Sequence, residues 1–280
     1  MDPKPGGRDR LLTVAIVVLS VAGVLYFGTR AVMDRMKTDT KNPYALDLSV
    51  FEGDRADRLA YHQTQDIAIP LERPRGLARD GDGNLYVSGD EVVLKYDAEG
   101  NRVGSYAIGE TAYCLAVDGQ GLIYLGMKDH VEVLDPTGKP IAHWESLGPR
   151  AIVTCVAVSD SAVYLADAGQ LLVWEFTPSG SLRWTLGKKD PTKGVPGYVI
   201  PSPYFDVAVG TDGSPWVANT GRHSLENYTP SGALKTSWGE YGTAIEAFCG
   251  CCNPSHFAIM SDGGFVTSEK GIARIKTYDR

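Results

Sequence analysis

Seven side chains of this 280-residue sequence are of the kinds that bind transition metals or carry out thiol chemistry, and four of them occupy matching places. Each of the four comes just before a short apolar segment that contains alanine, such as the Leu-Ala-Val that follows Cys114. The other three fall in one stretch, residues 249–252, shortly before the last such segment. The full set is Cys114, Cys155, Asp206, Cys249, Cys251, Cys252 and His256.

Three interpretations of this set remain open. Cysteine, histidine and aspartate together are ligands for zinc or copper. Alternatively, Cys114 could form a disulfide with Cys155, or Cys251 with its neighbour Cys252, as suits an exported domain. Small buried cysteines can also simply fill space. The spacing C-x-C-C-N-P-x-x-H matches no zinc-ribbon pattern, and no C-x-x-C-H stretch is present for covalent haem.

The four matching residues belong to a repeat that begins near Pro74 and recurs five times. Each unit has an alanine-bearing strand, an Asp/Gly turn, a strand with a central aromatic residue, a third strand and a second turn. A fourth strand follows all units except the last. The central aromatics recur at intervals of about 40–50 residues. They are Tyr86, Tyr124, Tyr164, Trp216 and Phe265.

Four short strands per repeat at a period near 40 are typical of a β-propeller blade. One small sheet cannot bury both of its faces, whereas blades packed around an axis bury them against each other. We therefore predict an all-β propeller over residues 61–280, with the central aromatics packed between blades. Five blades are visible. Residues 61–70 could supply the missing strand of the fifth blade and close a five-bladed ring, or the ring could be an incomplete six-bladed one.

The units resemble those of the NHL-repeat propeller family. The resemblance rests on the D-G-x-x-Y-V turn and strand at Asp82–Val87, the pairs Ala166-Asp167 and Ala218-Asn219, and the F/Y-x-P-x-G turns. It covers about residues 61–280 and favours the curvature of a six-bladed ring. Because the family includes lyases, hydrolase-like sensors, protein scaffolds and RNA binders, the resemblance implies a fold and no single activity.

The resemblance also implies where the reactive side chains lie. In related propellers the start of each innermost strand lines the central channel, and metal ligands project there. We therefore expect Cys114, Cys155, Asp206 and His256 to converge at the axis, with the three loop cysteines at its mouth. Two long insertions, residues 187–204 and 239–254, enter innermost strands on the same side, and long loops gathered on one face indicate function.

The first part of the chain predicts a membrane anchor. Residues 11–28 are uncharged and almost wholly apolar, and they nearly cross a hydrocarbon core of about 30 Å. The apolar run continues past the small residues at 21–23, where a signal peptide would be cleaved. We predict a short head (1–10), an uncleaved transmembrane helix (11–28), a tether (29–60) and an extracytoplasmic propeller. Positive charges flank both ends, so the orientation follows from the short head and large C-terminal domain.

These features favour a membrane-tethered binding, scaffold or sensor module that presents its loop-rich face to a protein partner. A net charge of −7 argues against nucleic acid as a partner. The alternative is a metal-dependent propeller enzyme of the lyase or lactonase type. Such an enzyme needs several metal ligands around the channel, and Gly76, which has no ligand atom in a side chain, occupies the fifth matching place. The histidines His62, His130 and His143 indicate no common site, and Glu269 with Lys270 is predicted to be a solvated pair.

Overall fold

A computed structural model describes residues 18–30, 33, 59–271 and 274–279. The chain divides into two compact units, Met1–Tyr61 and His62–Arg280. In the first unit, residues 18–30 form an α-helix. Among the described residues, no helix combines the length and the apolar character that a membrane crossing requires. The predicted head, the first seven residues of the predicted span and nearly all of the predicted tether lie outside the described residues.

The second unit is a β-propeller of five antiparallel sheets, each built from strands consecutive in sequence. Blade 1 contains β1 (Pro74–Arg79), β2 (Leu85–Gly89), β3 (Val92–Tyr96) and β4 (Arg102–Ala107). Blade 2 contains β5 (Cys114–Val117), β6 (Ile123–Gly126), β7 (Val131–Leu134) and β8 (Pro140–His143). Blade 3 contains β9 (Val153–Val158), β10 (Val163–Asp167), β11 (Leu172–Phe176) and β12 (Leu182–Leu186). Blade 4 contains β13 (Val207–Val209), β14 (Pro215–Asn219), β15 (Ser224–Tyr228) and β16 (Leu234–Trp238), and blade 5 contains β17 (His256–Ile259), β18 (Phe265–Glu269) and β19 (Arg274–Tyr278).

Apolar clusters join each blade to the next, and the central aromatics of the first four blades lie in them. Tyr86 belongs to the cluster between blades 1 and 2. Tyr124 lies between blades 2 and 3, and Tyr164 lies between blades 3 and 4. Trp216 packs half-buried between blades 4 and 5. The predicted role of these four aromatics as core between blades is therefore confirmed.

Phe265 also packs between blades 4 and 5, as predicted, but it does not occupy the position equivalent to that of the other four aromatics. In blade 4, the alanine of the inner strand, Ala208, pairs with the central aromatic Trp216. In blade 5, the matching Ala258 pairs with Val266, so Phe265 is one residue out of register. Because successive strand residues point to opposite faces, Phe265 points back towards blade 4. Its ring centroid lies 4.8 Å from that of Trp216.

The segment 61–70 does not complete the fifth blade, which keeps three strands. Ile67 and Ile69 instead pack on an apolar cluster of blade 1 that contains Val87, Leu94 and Tyr96. These are side chains on the face of blade 1 that blade 2 does not cover, and burying them removes apolar surface from water. Among the described residues, no apolar cluster joins blade 5 to blade 1.

Candidate functional site

The innermost strands of successive blades lie side by side and line an open cavity of ≈ 640 Å³. Cys114, Cys155, Asp206 and His256 all line this cavity, together with Gly76. These five residues come together because each lies two positions before the alanine of its inner strand. Equivalent strand positions point to the same side of the sheet, here towards the cavity. Among them, Asp206 and His256 are in direct contact.

The carboxylate of Asp206 links blade 4 to blade 5 at the cavity wall. Its Oδ2 accepts a hydrogen bond from the backbone N–H of Phe257 at 2.8 Å and lies 3.5 Å from Nδ1 of His256. Asp206 is buried, whereas the side chain of His256 is 57% exposed. Contact with the carboxylate raises the pKa of His256 above its ordinary value, against the opposing effect of burial. The contact therefore favours the protonated form of this imidazole.

The two inner-strand thiols are not available as thiolates. Burial raises the pKa of both Cys114 and Cys155, and the neighbouring Asp206 carboxylate raises each further. The Sγ of Cys155 lies 3.3 Å from the carbonyl oxygen of Val207. No three Cys, His, Asp or Glu ligand atoms of the cavity-lining residues lie within 4.8 Å of one another. The cavity therefore contains the expected donors without bringing them to metal-binding distance.

All five cysteines are free thiols, so neither expected disulfide is formed. In the loop, Cys251 is exposed and its neighbour Cys252 is buried, and their sulfurs are 3.1 Å apart, against about 2.05 Å in a disulfide. Burial alone would raise the pKa of Cys252, but hydrogen bonds from Ser202 and Cys251 and the positive charge of Lys270 lower it overall. The pKa of Cys251 is raised by its partner. The pair therefore favours a thiolate on Cys252, the nucleophilic form of cysteine.

Lys270 connects the two long loops at this point. Its Nζ donates a hydrogen bond to Oγ of Ser202 at 3.2 Å and lies 4.2 Å from the ring centroid of Tyr204. Both of these residues belong to the loop 187–204, whereas the thiol pair belongs to 239–254. The Lys270 backbone in turn exchanges hydrogen bonds with the side chain of Asn253.

Buried polar residues at the ends of second strands hold both loops in place. Asn219 accepts a hydrogen bond from the N–H of Val199 and donates one to the carbonyl of Gly197. Glu269 accepts one from the N–H of Cys249. The prediction that Glu269 is solvated is wrong: its side chain has 0% exposure and forms ion pairs with Arg274 and Lys276. A buried carboxylate is retained here because two cations and a backbone donor compensate its desolvation.

The long loops lie on one side of the propeller, which we call the loop face. In each antiparallel blade the first and third strands begin at this side, so the segments that enter the inner strands and the loops between second and third strands all meet there. Several apolar side chains on this face are exposed to solvent, between 36% and 68%. They are Tyr113, Ile152, Leu171, Val199, Tyr204, Tyr241 and Ile245.

Sequence reasoning missed one cluster on the loop face. His130 and His143 were expected to share no site, yet the structure brings both to the side chain of Glu132. A signal was available in the sequence, because residues 130 and 132 have the spacing of side chains on one face of a strand. The position of His143 opposite Glu132 depends on the register of β7 and β8.

Comparison with protein-family models and with curated proteins finds no match to this sequence. Solved structures do resemble it. A streptogramin B lyase superposes with a TM-score of 0.54 at 16% identity, over 76% of this chain and 71% of that one. A catalytically inactive virginiamycin B lyase from Staphylococcus aureus, solved with quinupristin, gives 0.54 at 15% identity, over 75% and 71% of the two chains. A protein of unknown function from Bacteroides caccae gives 0.52 at 13% identity, over 72% and 73%. Identities this low show the shared propeller fold alone.

Proposed function

We propose that this protein is a membrane-tethered, extracytoplasmic binding and sensor module that contacts a protein partner through its loop face. The observation that carries the proposal is the set of exposed apolar side chains on loops that are held in place by buried polar contacts. An apolar surface of defined shape is typical of protein-binding sites, since burying it on association removes it from water without first ordering the loops. The proposal retains the anchor over residues 11–28, on the strength of its unbroken apolar sequence.

The thiol pair supports a sensing role for the same face. Cys251 and Cys252 lie on the loop 239–254, where Lys270 also connects to the loop 187–204. Two-electron oxidation of the pair by an external oxidant such as a peroxide would join the two sulfurs in a disulfide, with loss of their protons. It would remove the Cys252 thiol that Lys270 faces and change the shape of this part of the surface. A redox-sensing thiol needs access to solvent and a lowered pKa. In this pair Cys251 is exposed to solvent, and Cys252 has the lowered pKa.

The partner surface is tested by photo-crosslinking in cells that express the full chain. A photoreactive amino acid in place of Tyr241, which is 68% exposed on the loop face, is expected to give protein adducts of discrete mass. The matched control is Leu182, which is 53% exposed at the start of β12 on the opposite side. Adding Val199→Asp should lower the adduct yield at Tyr241 about tenfold, because a charge in an apolar contact is costly. Equal adducts from both positions, or none from Tyr241, would refute a partner on this face.

The orientation is tested with a membrane-impermeant maleimide on intact cells, after mild reduction. Cys251 is the one exposed cysteine in the described part of the chain, so it should take most of the label. We expect labelling of the wild-type chain in intact cells, and its near-complete loss in Cys251→Ser. Labelling that requires cell lysis would place the propeller on the cytoplasmic side and contradict the proposed location.

A metal-dependent enzyme is the second candidate, supported by the Asp206–His256 contact at the wall of a cavity large enough for a small ligand. The lyases among the structural neighbours share the fold with this chain. In this alternative His256 and Asp206 would contribute to a metal or proton-transfer site at the axis. It requires a metal whose binding is lost in His256→Ala, and the titration described below includes that variant.

A further inference from the structure

Two histidines and a glutamate of blade 2 meet at the loop face, away from the axial cavity. His130 directly precedes β7, Glu132 is its second residue, and His143 is the last residue of β8. Residues two apart on a strand share a face, which places His130 and Glu132 together. The antiparallel register pairs Glu132 with His143. Local spacing and strand pairing thus bring three side chains from one hairpin to the same point.

Their ligand atoms are already close to the separations that a metal ion would impose. Oε1 of Glu132 lies 3.6 Å from Nδ1 of His143 and 4.0 Å from Nε2 of His130. All three ligand atoms lie within 4.8 Å of one another, which no other three His, Cys, Asp or Glu residues in the described chain achieve. Ligands about 2.0–2.2 Å from a tetrahedral zinc ion lie about 3.3–3.6 Å apart. Small side-chain rotations are therefore enough to close the site.

Hydrogen bonding explains these separations less well than a shared ion does. The closest approach of either imidazole to Glu132, 3.6 Å, exceeds the usual length of an N–H···O bond. The two rings nevertheless lie with their centroids 4.5 Å apart on either side of one carboxylate. Two imidazoles and a carboxylate therefore converge on one point without hydrogen-bonding each other.

A supporting hydrogen bond selects the form of His130 that binds a metal. Nδ1 of His130 lies 3.0 Å from Oδ1 of Asp129, and a carboxylate can only accept, so Nδ1 carries the proton. The lone pair is then on Nε2, the atom that faces Glu132. Asp129 is itself held by a hydrogen bond from Oγ of Ser146 at 2.6 Å. A ligating histidine that donates its other N–H to a carboxylate is the usual outer-shell arrangement of protein metal sites.

One side of the site is buried, and the other is open to solvent. The side chains of His130 and Glu132 are 11% and 23% exposed, whereas that of His143 is 66% exposed. An ion can therefore enter from solvent past His143. Three protein ligands of type His, His and Glu leave a fourth tetrahedral position for water or for a ligand from outside the chain.

We propose that His130, Glu132 and His143 bind a divalent transition-metal ion, with zinc as the best match, and that Asp129 positions His130. The donor set of two imidazoles and one carboxylate suits zinc and its spectroscopic substitute cobalt(II) better than calcium or magnesium, which prefer oxygen ligands. The proposal does not depend on the binding function of the loop face or on the axial cavity.

The test is a titration of the full, detergent-solubilised chain with zinc by calorimetry and with cobalt(II) by visible absorption. Because the loop thiols can also bind these ions, the titration is carried out in a Cys251→Ser/Cys252→Ser background. We expect one equivalent to bind there, with the absorption of a tetrahedral nitrogen and oxygen site and no thiolate charge-transfer band. Absence of stoichiometric binding in this background would overturn the proposal.

Variants then assign the ligands. His143→Ala is expected to weaken zinc binding tenfold or more, and its fold should persist because the side chain is mostly exposed on an outer strand. Asp129→Asn should also weaken binding, since an amide holds the His130 proton less firmly. His62→Ala, at another exposed histidine, is the matched control, and His256→Ala reports on the axial cavity. A loss smaller than tenfold in His143→Ala, or an equal loss in His256→Ala, contradicts the assignment.

Discussion

Replacement of Tyr124 by alanine is expected to lower the free energy of unfolding of the propeller by about 3–5 kcal/mol. The side chain is 1% exposed and lies in the apolar cluster between blades 2 and 3, with its ring centroid 6.2 Å from that of Trp144. The loss combines the transfer of a large apolar group with the cavity that it leaves, because two rigid sheets cannot collapse into the space.

Urea unfolding of the full chain in detergent, followed by tryptophan fluorescence, measures this change. The Tyr124→Phe variant isolates the contribution of the hydroxyl, which lies 3.3 Å from Oδ2 of Asp118. It should lower the free energy of unfolding by about 1 kcal/mol. Tyr113→Ala is the matched control, since that side chain is 42% exposed, and it should change stability by no more than about 0.5 kcal/mol. If Tyr124→Ala proves no more damaging than Tyr113→Ala, the stacking of blades around the aromatic residues is incorrect.

Glu269→Gln is expected to destabilise the fifth blade and release the loop 239–254. The carboxylate is fully buried and neutralises two cations: Nη2 of Arg274 approaches its Oε2, and Nζ of Lys276 approaches its Oε1. Burial lowers the pKa of Lys276, and the Glu269 carboxylate opposes that shift. Removing one member of a buried charged network leaves the others desolvated, at a cost of about 3–5 kcal/mol.

The same variant should expose the loop, because Glu269 also accepts the N–H of Cys249. We expect faster maleimide labelling of Cys249 in addition to the lower unfolding midpoint. Lys235→Gln is the matched control: it breaks an ion pair with Asp212 in which both side chains are about half exposed, and should cost no more than about 1 kcal/mol. Equal midpoints for the two variants would show that Glu269 does not hold the loop.

The blades could be predicted because each strand and turn of the repeat is indicated by residues within its own segment of the sequence. The fourth strands of the first four blades were expected from the sequence, and each is present, as for Arg102–Ala107 in blade 1. Each strand is marked by its own apolar pattern and by the glycines of its turns. The errors arose where the pattern was ambiguous by one residue, as at Phe265, or where a segment had two possible neighbours, as at 61–70.

The positions of the candidate ligands could be predicted only in part. Alignment of the inner strands placed Cys114, Cys155, Asp206 and His256 around one cavity, because equivalent strand positions share a facing. The distances between them depend on blade packing and side-chain orientation, and it is the carboxylate of Asp206 that both His256 and Cys155 contact. Alignment also gave no reason to connect His143 to Glu132, since that contact follows from a strand pairing within one blade.

The sequence by itself determined the all-β repeat, the number of visible blades, the aromatic core of the first four blades and the apolar run at 11–28. These depend on periodicity and composition, which a chain carries without its neighbours. Only the tertiary structure decided that Glu269 is buried in a charged network, that the thiols Cys251 and Cys252 face Lys270, and that two histidines meet at Glu132. Each of these depends on residues far apart along the chain or paired across strands, and burial, charge and register are properties of the packed blades.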